Sequence, residues 1–426
     1  MIRFAALICN TLTLIMLIGV IRLTLKRRNG WINMISFYCF CMLFFVSVPL
    51  WTDTFIMCFF SFKTLQELLC KHNTSGLVRY ESILESTVIA LSFYSLIFNG
   101  IVLATHEILN PTKAKPNGMN TPDDSQIFFR PQVYYLCSWL GLFFWGIRFG
   151  INFSNAGFGY RTLSNNHNTV LTIIASILFS ASLPGLLIKN SNKLLNYIII
   201  CTPFAIIGYL TRSRALFIGV FCIMFYLVVN KLYNRKKKDT ILIIIAAYMF
   251  VIFCLSIRTN RLVFVIYPLW RDLSFYDLHY SYENMQLLSL NGEGIVFLMK
   301  TGIPFVSHSI YEDITNLLAA ARFYEGWGSL HPTLLGWGIV DYGWVSLLYG
   351  FFWGAVIAFS ERIKAWMKKP FDMMYLGCQF IFVSILVRGS CQAAYAEFIY
   401  PTFAFFLINI FLSKFETKNN YLIIYQ

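Results

Sequence analysis

Long apolar runs constrain this chain more firmly than any motif in it. A helix needs about 20 apolar residues to cross the hydrocarbon core of a bilayer. About eleven such runs can be read along the 426 residues, near 5–25, 32–52, 82–103, 132–151, 169–188, 194–210, 215–230, 240–257, 335–358, 372–388 and 395–413. The chain is 58% hydrophobic and 18% aromatic, with only 13% of its residues charged. No soluble core needs so much apolar surface, so the soluble classes are excluded and an all-α polytopic membrane protein is expected. The first run is too long for a cleavable leader, and Lys26, Arg27 and Arg28 follow it where small residues would stand. Eleven cysteines are scattered without a CxxC pair or metal-ligand spacing, and read as small apolar packing residues. Cys58 and Cys70 are placed where they could pair outside the membrane.

Loop charge sets the expected orientation, because Lys and Arg accumulate on the cytoplasmic side. Alternate loops hold Lys26, Arg27 and Arg28; Lys113, Lys115 and Arg130; Lys189 and Lys193; Lys231, Arg235 and Lys236 to Lys238; Arg362, Lys364, Lys368 and Lys369; and Lys414 and Lys418. Those loops are expected inside, which puts the N-terminus out and the C-terminus in. The net charge of +14 is then a topological signal and not a nucleic-acid footprint. Of the nineteen inner cations, fourteen are Lys; of the fourteen outer ones, eleven are Arg. Thirteen acids share the outer side, so it is not a generally basic surface. Topology alone asks for no Arg preference there. A planar five-donor fork suits phosphate and carboxylate, so recognition of an anionic headgroup accounts for it.

One polar stretch breaks the apolar pattern. Residues 256–332 carry Arg258, Arg261 and Arg271, the histidines His279, His308 and His331, and seven acids, with no run long enough to span. The chain is therefore expected to form a single membrane domain over 1–426, with 258–332 as one large extracytoplasmic loop that builds much of a site. The alternative is a passive cap over a transporter. Within the loop, residues 272–290 read as a helix, and Ser309-Ile310-Tyr311-Glu312 reads as a capping box opening another, which makes Glu312 a cap. Asp313 lies off that helix's apolar face. Arg258 and Arg261, three apart, can share a helical face and bracket one diphosphate. Arg212 and Arg214 stand in a tight outer turn, two apart, and cannot share a face. Arg148 sits at a membrane border, where snorkelling to lipid phosphates and a site role are both open. Ser390 to Pro401 reads as the last outer turn, and small residues Gly350 and Gly354 mark a close helix approach in the ninth span.

Two segments resemble the Wzy-type oligosaccharide repeat-unit polymerases. One is the Gly208–Gly219 region with its outer arginines; the other is Gly336-Trp337-Gly338-Ile339-Val340-Asp341-Tyr342-Gly343, continuing to Gly354. The layout is similar over the whole chain. The resemblance implies a GT-C-related bundle in a bacterial inner membrane, acting as a glycosyltransferase on undecaprenyl-diphosphate-linked oligosaccharides. Its partners would be those lipid-linked units, membrane lipid and, as a further candidate, a chain-length regulator protein, with no nucleic acid. Negative charge would develop on the leaving diphosphate, and Arg212, Arg214, Arg258, Arg261, Arg271, Arg322 and Arg388 are the residues expected to hold it. Prepositioned donors of this kind are worth about 3–4 kcal/mol each. His308, His331 and Asp313 are the candidates for the general base, a role worth roughly 10²–10⁴ in rate. No DxD-like pair stands near the outer arginines, so a reaction without a metal or other cofactor is expected. O-antigen ligases share the layout and remain an alternative, as does a lipid-linked oligosaccharide flippase or anion transporter.

Overall fold

The computed structural model describes residues 1–27, 33–65, 84–110, 129–151, 170–188, 193–211, 275–283, 291–301, 303, 332–388 and 391–424. Among the described residues there is no strand, and helices follow one another throughout. They are α1 (Ile2–Arg27), α2 (Met34–Met42), α3 (Val48–Phe59), α4 (Glu85–Leu109), α5 (Pro131–Phe149), α6 (Val170–Ser182) and α7 (Lys193–Thr211). In the second half come α8 (Phe275–Glu283), α9 (Glu293–Thr301), α10 (Thr333–Tyr342), α11 (Tyr349–Trp366), α12 (Phe371–Arg388) and α13 (Cys391–Ile424). Six spans among the described residues are long and apolar enough to cross a membrane, and two shorter apolar helices lie in α6 and α7. The architecture is that of a helical membrane protein.

The order of packing explains which helices are central. α2 and α12 are enclosed along nearly their whole length, with Phe37 seated against Phe380. α1 and α13 instead turn Ile8, Leu12, Ile15, Phe403 and Phe411 outward. Exposed side chains of that size are lipid-facing in a membrane protein, where no water has to be excluded from them. α2 and α3 make one span through a π-helical turn at Leu43–Ser47. Pro49, in the first turn of α3, has no N–H for the preceding turn and its ring crowds that turn's carbonyl, and the wider turn relieves both.

Relative directions follow the expected threading. Arg3 meets Glu85, and Asn10 meets Ser92, so α1 and α4 run parallel. Asn10 also meets Thr54 while Arg3 reaches the Met57 carbonyl, so α3 runs against both. Gly350 abuts Ile101 and the Phe98 carbonyl, Gly354 abuts the Val102 carbonyl and Thr105, and Glu361 reaches His106 and Asn110, which sets α11 parallel to α4. At Gly354 an added Cβ would stand 2.7 Å from that carbonyl oxygen, so only glycine lets the two backbones come so near. Gln379 donates to the Ser360 carbonyl at 2.7 Å, and Trp353 lies by Phe382, so α12 returns antiparallel.

Two expectations change. The last outer turn is far shorter than 390–401, because α13 is already helical at Cys391 and runs through Pro401. The ninth span is not one helix over 335–358: the chain breaks at Gly343, whose φ of 55° and ψ of −135° end α10. A straight helix would separate residues 338 and 346 by about 12 Å. Instead Gly338 packs directly on Ser346, and Trp337 on Tyr349 with ring centroids 6.1 Å apart. α10 therefore folds back beside the start of α11 and is buried from Thr333 to Asp341.

Candidate functional site

His308, His331, Asp313, Arg212, Arg214, Arg258, Arg261, Arg271 and Arg322 all lie outside the described residues, as does Cys70. Arg388 is the last residue of α12, and only 8% of it is exposed. Among the described residues, polar side chains gather at the end of the bundle that holds Arg3, Glu85 and Glu283.

Arg3 holds Glu85 through two guanidinium nitrogens at 2.5 and 2.6 Å, closing α1 onto the first turn of α4. Glu283, the last residue of α8, accepts from the Leu84 backbone N–H at 2.9 Å and from the Thr87 hydroxyl at 3.2 Å. Through this contact a short helix from the long polar stretch is drawn into the bundle. The helix expected over 272–290 is present as Phe275–Glu283. Its Leu278 and Ser281 press on Gly336 of α10, where a Cβ would stand 3.2 Å from the Leu278 side chain.

The same helix carries His279, whose Nε2 lies 3.6 Å from Oδ2 of Asp53. Asp53 is 0% exposed and His279 1%. Asp53 stands six residues before the end of α3, about 9 Å along the helix. Beside it Asn10 donates to Ser92 at 2.9 Å and to Thr54 at 3.2 Å, a polar layer joining α1, α3 and α4. The contact brings α8 against the interior of the span formed by α2 and α3. Both side chains are enclosed, so the pair lines no open cleft. Sequence reading singled out other histidines. Asp53 lies inside an apolar run and its partner 226 positions away, and only the rarity of an intramembrane carboxylate could have marked it.

Next to α8 the elbow at Gly343 is built around a second carboxylate. Asp341 accepts from the backbone N–H groups of Gly294 at 2.8 Å and Ile295 at 3.0 Å and from the Tyr349 hydroxyl at 2.6 Å. It thus caps the N-terminus of α9, where two otherwise unpaired donors and the helix dipole favour a negative charge. Tyr94 bonds Ser346 at 2.6 Å, and the crevice between Tyr94, Tyr282, Ile339, Gly343 and Trp344 leaves no room for a water molecule. The Gly336–Gly343 segment singled out in the sequence is therefore a tightly packed elbow.

Two further buried carboxylates lie elsewhere. Glu397 of α13 accepts from the Ser176 hydroxyl of α6. At the opposite end of the bundle Glu361 accepts from the Ile35 N–H at 3.2 Å and the Asn110 amide at 2.6 Å, with His106 Nε2 at 3.3 Å. One side chain there joins α2, α4 and α11, which is a structural clasp. Among the described residues no cluster of three or more His, Cys, Asp or Glu side chains could hold a metal ion. Compared with family models, curated proteins and solved structures, the chain matches none.

Proposed function

We propose that this chain is an integral membrane glycosyltransferase that polymerises undecaprenyl-diphosphate-linked repeat units at the outer face of a bacterial inner membrane. In this reading eleven helices span, the N-terminus faces out, the C-terminus faces in, and the bundle is related to the GT-C class. The growing glycan leaves its lipid diphosphate for the non-reducing end of a fresh lipid-linked unit. A hydroxyl of that acceptor attacks the sugar carbon bound to diphosphate, its proton passes to the base, and the diphosphate departs with the electron pair.

The observation that carries the proposal is the outer cation set, eleven Arg of fourteen, against an inner set dominated by Lys. Guanidinium groups there suit the charge that develops on a departing diphosphate. The polar stretch holding Arg258, Arg261 and Arg271 also contributes α8, which plugs into the end of the bundle through Glu283 and His279. That contact supports a loop fixed to the membrane domain, as a reaction surface requires, over a loose cap. Arg258→Lys and Arg261→Lys should each abolish polymer while the protein stays in the membrane. Normal chain ladders from both would refute the assignment.

One observation favours a second reading, transport. Helices broken within the membrane mark substrate sites in transporters, and the chain breaks at Gly343. Proteoliposomes given purified lipid-linked units on one side discriminate: lengthened glycan supports the polymerase, and movement of unlengthened units across the bilayer supports transport.

A further inference from the structure

α9 lies within the polar stretch read from the sequence as an extracytoplasmic loop, yet its surface is not that of a helix in water. Gly294 and Leu298 are buried on one side. Val296, Met299 and Ile303 project on the other, 54%, 43% and 53% exposed. At 100° per residue Val296, Met299 and Lys300 fall within one arc and Gly294 and Leu298 fall opposite, and Ile303 follows just past the helix end.

Its depth is set by its neighbours. Met299 accepts a contact from the Tyr395 hydroxyl at 3.5 Å, and Tyr395 is the fifth residue of α13, about 6 Å from that helix's start. The Tyr395 ring lies by Phe352 in the first turn of α11. α9 therefore sits level with the turn between α12 and α13, where these spans leave the apolar layer. Tyr342, 46% exposed, lies beside its N-terminus, 3.3 Å from a Cβ placed at Gly292, and Trp344, 41% exposed, follows across Gly343. Tyr and Trp at that level match the aromatic belt of a membrane interface. Asp341 pins the helix there by its first turn.

We propose that α9 is an interfacial helix whose Val296–Met299–Ile303 face is covered by the acyl chains of membrane phospholipid, with Lys300 reaching the lipid phosphates. The occupant is lipid because the helix that Met299 touches through Tyr395 begins an apolar span, Ala394–Leu412, with Phe403 and Leu407 exposed along it. A basic side chain beside an apolar stripe, with its stem along lipid and its head at the phosphates, is the pattern of helices that lie in the interface. The long polar stretch would then be held in the leaflet at one point. This inference stands whether the chain is an enzyme or a transporter.

The test uses the full-length protein in native membranes, with a photo-crosslinking benzoylphenylalanine placed in turn at Val296, Met299 and Ile303. Val296 and Ile303 are more than half exposed, and at Met299 the probe replaces only the contact with Tyr395. Irradiation followed by mass spectrometry of the labelled peptides should show phospholipid adducts at all three. The same probe at the polar, exposed Asn291 should give at least about tenfold fewer, the ratio expected if a site is out of the acyl layer by as little as 1.4 kcal/mol. Lipid adducts no more abundant than at Asn291, or adducts chiefly to another protein or to a second copy of this chain, would overturn the proposal.

Discussion

Asp341→Ala should loosen α9 and little else, and the size of the effect can be worked from its three bonds. Two of them cap the first turn of α9, from the N–H groups of Gly294 and Ile295. Losing a capping side chain costs about 0.5–2 kcal/mol, and losing a negative charge at a helix N-terminus about 0.3–1 kcal/mol more. A cost of about 2 kcal/mol in the local opening of α9 is roughly a 30-fold rise in amide exchange over residues 293–301. The third bond leaves the Tyr349 hydroxyl unpaired, but that cost falls on α11. Asp341→Asn keeps one acceptor oxygen and loses the charge, so about 1 kcal/mol and roughly a fivefold rise are expected. Hydrogen exchange with mass spectrometry on protein in lipid nanodiscs reads this directly, with peptides from α4 and α12 as internal standards. Unchanged exchange in α9, or an equal rise in α4 and α12, would refute the account of Asp341 as a local clasp.

Three further outcomes are expected. Gly354→Ala places a methyl 2.7 Å from the Val102 carbonyl, whereas Gly100→Ala meets nothing within 4 Å. The first should destabilise the purified protein by about 1–3 kcal/mol and the second should be neutral or slightly stabilising, as read by thermal denaturation in detergent. Asp53→Ala and His279→Ala should each cost about 3–5 kcal/mol, since each removes one side of a fully buried carboxylate–imidazole contact, and the double variant should cost clearly less than their sum; the same melts test this, and additive losses would show that the two are not coupled. Glu361→Ala removes the one carboxylate shared by the Ile35 N–H, the Asn110 amide and His106, so retention of folded protein in size-exclusion chromatography should fall most sharply for this variant.

The helical membrane class was legible because apolar length reports on the bilayer, whose thickness is fixed from outside the chain. Gly350 and Gly354 announced a close helix approach, and the structure supplies α4 as the partner. The break at Gly343 was not legible: it is one of five glycines between residues 335 and 358, and a positive φ follows only from what packs on either side. Pro401 misled for a related reason. In water a proline ends a helix, but in an apolar bundle α13 tolerates one carbonyl, that of Glu397, without a helical donor. Asp53 and His279 escaped notice because nothing local joins them; the pair exists only once α8 is drawn down against α10 and α4. Glu361 was hidden among inner charges, where net positive charge fixes topology and says nothing about which acid is a clasp.

The central claim is that this chain lengthens lipid-linked glycans. The most direct measurement is the polysaccharide gel pattern of a strain lacking this chain. The polymerase account predicts lipid cores capped with a single repeat unit and no ladder above them. Lipid cores without any repeat unit would place the defect at ligation or transport and contradict it.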